Sequence, residues 1–362
     1  MTGGVLARYF GLRFLSAVLI VFAGIFSLAA LIDYVELTRR ASDIPGVSAL
    51  IIAKTAVYRI PQLTERLMPF CVLIGAMSCY LNLSRRLELV IARAAGVSAW
   101  QFVAPAIFVA FMLGIFATAI YNPMSAYMQE QAKKLEATIF GDNSNAREAG
   151  GRFWIRQRAD NGEAIISANA SRNQGIELSG VTIFTFENDG RFKERIQAKT
   201  AVLGRSAWAI TDARIFPLSQ APRSVPTMTL PTNLTPEQVR ESFATPETVP
   251  FWDLPQYITI AERAGLVAAG YRLQFQKLLS RPFLLSAMVI LAAAVSLRFF
   301  RFGGVQKMVL SGILAGFMLY VLSKITEDMA KAELLHPVAA AWFPALIGGV
   351  TGFVALLYQE DG

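Results

Sequence analysis

Six stretches of the chain carry apolar residues without a single charged side chain: residues 14–32, 67–84, 94–129, 282–297, 308–323 and 334–359. A helix rising 1.5 Å per residue needs ~20 such residues to cross hydrocarbon, so the pattern predicts six transmembrane helices. The fourth and fifth stretches are short. Lys277, Arg281 and Lys324 beside them are expected to lead their helices outward with charged heads in the interface.

Between the third and fourth stretches the period changes. Short β-branched and aromatic segments at 151–158, 163–169, 178–187, 191–199, 207–218 and 224–230 are separated by turn clusters such as Asn188-Asp189-Gly190. Regular strands without intervening helices predict an all-β insertion, a sandwich or jellyroll. Residues 125–140 read as a helix extending the third span, and 255–269 as a helix returning to the membrane. The expected fold is therefore an α-helical membrane protein of six transmembrane helices with an inserted all-β jellyroll-like domain. Its parts are a first membrane half at 1–129, the β domain with flanking helices at 130–265, and a second membrane half at 266–362.

Composition agrees with this division. Hydrophobic residues make up 54% of 362 and charged residues 17%, too lean a mixture to cover a water-soluble surface of this size. The first apolar run has no A-x-A-like cleavage site and exceeds a signal-peptide core, so it reads as a retained helix. Of 34 basic and 26 acidic residues, 16 of each fall between Glu130 and Arg263, so the net charge of +8 belongs to the membrane halves. Nucleic-acid binding, which calls for a basic soluble patch with stacking aromatics, has no footprint here. One histidine, His336, and two cysteines, Cys71 and Cys79, cannot assemble a His/Cys metal cluster. No G-x-x-x-x-G-K-[ST] loop is present, and the spans hold no catalytic carboxylate pair or Ser/His arrangement. The expectation is a non-catalytic chain.

Cations flank the spans at both ends and fix no orientation. Arg85, Arg86, Arg93, Arg298, Arg301 and Lys307 fall on the N-terminal side, and Arg39, Arg40, Lys54, Arg59, Arg66, Arg272, Lys277 and Arg281 on the other. Arg39, Arg40, Arg59, Arg66 and Arg272 are candidates for a phosphorylated lipid headgroup; the alternative is snorkelling and salt bridges with Asp33, Glu36, Asp43 and Glu65. Gly312-x-x-x-Gly316 and Gly348-x-x-x-Gly352 permit close helix approach, either at a moving gate or in packing within one subunit. Trp154, Ile155, Ile183, Phe184, Phe186, Trp208 and Ile210 are candidate lining residues of the β domain, or ordinary core.

Residues 84–96 carry the densest pattern. Leu87, Val90, Ile91, Ala94 and Ala95 share one helical face, opposite Arg85, Arg86, Glu88 and Arg93; Ser84 can cap the start and Gly96 can end the helix in a left-handed turn. A short amphipathic helix at the membrane surface follows. Its sequence, Ser84-Arg85-Arg86-Leu87-Glu88 followed by Arg93-Ala94-Ala95-Gly96-Val97-Ser98, resembles the coupling helix of the lipopolysaccharide export permeases of the LptF/LptG family. The resemblance spans the chain. It includes Arg8-Tyr9 before the first span, Asp33-Tyr34-Val35-Glu36 and Arg39-Arg40 at its exit, and Thr232-Asn233-Leu234-Thr235-Pro236, which is similar to the LptG branch.

That resemblance implies a permease subunit in the bacterial inner membrane that pairs with an LptF-like subunit and accepts lipopolysaccharide from the outer leaflet. ATP and magnesium sit on an LptB-like ATPase dimer, leaving no cofactor in this chain. Glu88 matches the glutamate that pairs with an ATPase arginine, with Arg85, Arg86, Leu87, Arg93 and Gly96 completing the coupling element. Arg39 and Arg40 match a headgroup-binding pair, although Asp33 stands where some members carry a lysine. The β domain is expected in the periplasm, joined edge to edge with an LptC-like bridge protein. The alternatives are the LptF-type paralogous subunit and a polytopic scaffold anchoring the β domain.

Overall fold

The computed structural model describes residues 3–42, 44, 47–140, 153–159, 162–172, 175–187, 191–218, 221–232, 246–263, 268–300 and 304–360. Six of its helices are long and apolar enough to cross a membrane. Helix α1 (Gly3–Ala41) packs along α2 (Ala49–Arg85); a short helix α3 (Glu88–Ala94) leads into α4 (Ala99–Phe116), which passes through a π-turn (Ala117–Tyr121) into α5 (Asn122–Phe140). After the β domain come a 3-10 turn (Pro246–Thr248), α6 (Leu254–Arg263), α7 (Ala269–Phe300), α8 (Val305–Lys331) and α9 (Pro337–Glu360). Helix α7 is central, packed on α2, α4, α8 and α9.

Several helices outrun the apolar stretches that announce them. At 39 and 37 residues, α1 and α2 reach about 55–60 Å, roughly twice the hydrocarbon thickness, so their ends stand in polar surroundings. Among the charged residues beside the fourth and fifth spans, Arg281 departs most from expectation. Lys277 pairs with Glu327 at 2.8 Å and Arg281 with Glu65 at 2.6 Å, turned into the bundle; Lys324 pairs on the exposed side with Asp328. Burial next to a carboxylate supplies what the interface was expected to supply.

The β domain is one antiparallel sheet in the order β1-β2-β3-β4-β5-β6, each strand beside its sequence neighbour, with no second sheet among the described residues. The strands are β1 (Phe153–Ala159), β2 (Gly162–Arg172), β3 (Glu177–Phe186), β4 (Phe192–Leu203), β5 (Ala207–Pro217) and β6 (Arg223–Pro231). One row of register partners is isoleucine across five strands: Ile155, Ile166, Ile183, Ile196 and Ile215. From Ile166 to Ile215 this row is buried and forms the core with Leu178, Ile210 and Trp208. Gln157 draws the open sheet together. Its Oε1 accepts from the Trp208 indole at 3.0 Å and the Thr232 hydroxyl at 2.7 Å, while its Nε2 donates to the Pro231 carbonyl at 3.4 Å. A residue of the first strand thus meets the end of the last.

One expectation about the β domain needs correction. Phe184 and Phe186 alternate with the buried Ile183 and Thr185, so they face away from the core, where both contact Phe192 at 6.5 and 5.8 Å between ring centroids. A strand's period of two forbids Ile183 and Phe184 from lining the same interior. Ile183, Trp208 and Ile210 are core; Trp154 and Ile155 lie on β1, with side chains outside the described ones. The returning helix is described over Leu254–Arg263, residues 264–267 of its expected extent lie outside the described residues, and Ala269 already begins the next helix. The Asn188-Asp189-Gly190 turn and residues 233–236 of the Thr232–Pro236 segment lie outside the described residues.

Candidate functional site

The segment joining α2 to α4 is built from backbone geometry. Helix α2 runs through Ser84 to Arg85, so Ser84 is buried inside it and does not cap the next helix. Its place is taken by Leu87, whose φ of 61° reverses the chain and lets α3 begin at Glu88. A left-handed leucine costs about 1–2 kcal/mol, so this corner is held by its surroundings. At the far end Gly96 has φ of 80°, its N–H donates to the Arg93 carbonyl at 2.9 Å, and Val97 N–H donates to Ala92 at 3.0 Å. That is the glycine-terminated helix end expected there. Ser98 and Gln101 then cap α4 reciprocally.

The resulting seven-residue helix rests on one buried side chain, Leu89, and turns Leu87, Val90, Ile91, Ala94 and Ala95 outward. Arg85 and Arg86 are exposed, and Arg93 is half-buried. Glu88 is tied to the first helix: the Tyr9 hydroxyl donates to its Oε2 at 3.0 Å, and Arg13 Nε donates to the Tyr9 oxygen at 3.2 Å. The predicted coupling residues are therefore brought together at one end of the bundle, beside the start of α1.

The predicted headgroup cations are not one cluster. Arg59 pairs with Asp33 at 3.5 Å and Glu136 at 2.9 Å, joining α1, α2 and α5. Asp33 thus neutralises a neighbouring arginine. Arg272 is held by Glu262 across an open cleft of about 440 Å³ also lined by Glu333 and His336. Arg40 lies over the Phe140 ring at 5.1 Å, and Arg39 is exposed with a loose contact to Glu36 at 3.6 Å. Arg66 is exposed and makes no ion pair among the described residues. Gly312 and Gly316 are buried within the chain, where α8 seats on Met77 and Leu73 of α2.

Sequence reasoning missed a polar centre in the part of the bundle nearer the β domain. Pro123 has no N–H to offer the Ala119 carbonyl, and the helix widens there into the π-turn, with Asn122 N–H bonding back to Ala117. The indole of Trp252 donates to the stranded Ala119 carbonyl at 3.0 Å. Pro282 likewise strands the Leu278 carbonyl, which the Thr118 hydroxyl reaches at 2.8 Å. Asn122, 2% exposed, donates from Nδ2 to Glu65 at 2.8 Å and accepts from Phe251 N–H at 3.0 Å. The available signal was Glu65 and Asn122 standing beside prolines in largely apolar runs.

Among the described residues no group of His, Cys, Asp and Glu side chains is arranged to hold a metal ion. The chain matches the family model described as "Lipopolysaccharide export system permease LptF/LptG" over residues 8–358. It belongs to the LptF/LptG family. Similar relatives are the lipopolysaccharide export system permease proteins LptG of Escherichia coli (strain K12) and of Haemophilus influenzae, each 22% identical, with 94% of this chain and 95% of the relative covered. As an LptF/LptG permease, the chain is a multi-pass inner-membrane component of lipopolysaccharide export, and its six apolar helices are the spans of that permease.

Proposed function

We propose that this chain is the LptG-type subunit of an ATP-driven transporter that extracts lipopolysaccharide from the inner membrane and passes it to the periplasm for export to the outer membrane. The LptG-type assignment draws on both named relatives being LptG proteins and on the Thr232–Pro236 segment. Its companions are an LptF-like permease, an LptB-like ATPase dimer carrying ATP and magnesium, and an LptC-like bridge protein. The chain itself holds no cofactor.

The observation that carries this reading is the α3 corner: an apolar face left outward, with the Glu88 carboxylate beside it accepting a direct hydrogen bond from Tyr9 at the base of α1. A surface helix so exposed fits a groove on a partner, and a carboxylate among apolar contacts gains strength from the water it excludes. Arg39, Arg40 and Arg66 are the cations left available for lipid phosphates; Arg59 and Arg272 serve ion pairs within the chain. The β domain lies in the periplasm and meets its bridge by strand pairing. Edge strand β1 is free of proline, whereas edge strand β6 carries Pro226 and Pro231, neither of which has a backbone donor.

Glu88→Ala tests the coupling role in proteoliposomes containing the assembled complex. Loss of the ion pair is expected to remove about 2–5 kcal/mol of docking free energy, weakening ATPase retention at least tenfold and lowering lipopolysaccharide release, with insertion and folding of the chain unaffected. Wild-type release by this variant overturns the coupling assignment.

A further inference from the structure

The polar centre at the π-turn joins parts of the chain that are far apart in sequence. Glu65 belongs to α2 in the first membrane half and Arg281 to α7 in the second; their side chains are 6% and 15% exposed and meet at 2.6 Å. Buried charges at membrane depth are costly unless paired, and where they persist they serve a task. The same Glu65 oxygen, Oε1, accepts from Asn122 Nδ2 at 2.8 Å. A carboxylate can only accept and a backbone N–H can only donate, so the carboxamide is fixed in one orientation, with Oδ1 toward Phe251 N–H at 3.0 Å.

Residues 246–253 are the strap by which the chain returns from the β domain to α6 and α7. The strap is pinned at several points. Phe251 stacks on Phe275 of α7 at 5.4 Å, Trp252 donates to the Ala119 carbonyl of the π-turn, Gln62 Nε2 of α2 donates to the Glu247 carbonyl at 3.4 Å, and Lys331 of α8 lies 3.9 Å from the Glu247 carboxylate. Of these contacts, the Asn122 carboxamide alone is bonded both to the inter-half ion pair and to the strap backbone.

We infer that Asn122 is a positioning residue for transport: it locks the strap behind the β domain to the Glu65–Arg281 pair, so that displacement of the membrane halves and displacement of the strap are one movement. This rests on the permease reading and deepens it. Force arriving at the α3 end changes the relation of the two halves, and through Asn122 that change reaches the chain leading from the β domain. The lock places the moment of lipid transfer in step with closure of the bundle.

The test uses the full complex in lipid vesicles and reads lipopolysaccharide released per ATP hydrolysed. Asn122→Asp sets a second carboxylate against Glu65 and removes the donor; release per ATP is expected to fall about tenfold, the scale of a lost charge-assisted hydrogen bond, with hydrolysis within about twofold of wild type. Combining it with Glu65→Gln restores a donor at 65, an acceptor at 122 and one negative charge for Arg281, and is expected to recover release to within about twofold. Trp252→Phe, which keeps an aromatic ring on the strap but removes the five-membered ring that carries the indole N–H, is expected to lower release per ATP about threefold without loss of folded protein. Wild-type yield per ATP in Asn122→Asp or in Trp252→Phe, or a double variant no better than Asn122→Asp, overturns the inference. Equal loss of hydrolysis and release does so too, since a packing role alone predicts it. A wild-type result for Glu88→Ala in the same assay counts against the permease coupling itself and is read separately.

Discussion

Prolines inside transmembrane helices deprive the carbonyl four residues back of its usual backbone donor, and such a carbonyl in hydrocarbon costs free energy unless another group answers it. Pro282 strands Leu278, Pro344 strands Ala340 and Pro123 strands Ala119; they are answered by Thr118 at 2.8 Å, Thr326 at 3.1 Å and Trp252 at 3.0 Å. In each case the donor comes from a different element, so the proline makes a tertiary contact where an unbroken helix makes none. Thr118→Val keeps the shape and deletes the hydroxyl, leaving a buried acceptor unmet. It is expected to destabilise the protein by about 1–3 kcal/mol, whereas Thr118→Ser stays near wild type. Thermal unfolding of the purified protein in detergent measures the difference, and equal midpoints for the two variants refute the pairing. The prolines were visible in the sequence, but their partners were not: 160 positions separate Thr118 from Leu278. For the same reason Arg281 looked like an interfacial cation, since nothing local announces that Glu65 lies opposite.

At the scale of elements, the number and order of helices follow from charge-free runs, because a span must satisfy its backbone internally and keep charge away from lipid. Helix ends do not follow, since outside the hydrocarbon α1 and α2 continue through charged turns that hydropathy reads as loop. Strands were placed to within a few residues by alternation and turn residues, while the faces of Phe184 and Phe186 required that alternation to be counted through. Close helix contacts were legible only in part. The Gly312 and Gly316 spacing drew attention, yet a Cβ at Gly312 meets the flexible end of the Met77 side chain, which can move. Gly114 belongs to no such motif, and a Cβ there meets the backbone of Pro282, which cannot. Gly114→Ala is therefore expected to cost about 1–3 kcal/mol by forcing α4 away from α7, with Gly312→Ala milder. Folded yield after detergent extraction ranks the two, and the reverse ranking contradicts this account of the α4–α7 contact.

For the whole molecule, the charge pattern alone leaves orientation open, because both ends of the bundle are cationic and a large translocated domain is exempt from the positive-inside rule. The contacts divide the ends more clearly. Tyr9, Glu88, Trp100 and Phe353 share one end, through the 3.0 Å hydrogen bond and a 4.9 Å ring contact, and the chain departs for the β domain from the other. If ATP acts at the α3 end, the β domain must stand across the membrane from it. The chain's own thiols make this testable, since Cys71 and Cys79 are both buried in α2 and give little background. Leu218, 74% exposed at the end of β5, and Ile91, 67% exposed on α3, are the reporter positions. A membrane-impermeant maleimide is expected to label Leu218→Cys in spheroplasts and spare Ile91→Cys. Inside-out vesicles stripped of peripheral protein are expected to show the opposite pattern. Labelling of both positions from the same side breaks the link between force entry at α3 and lipid delivery at the sheet, because an ATPase on the sheet's side has no membrane to work across.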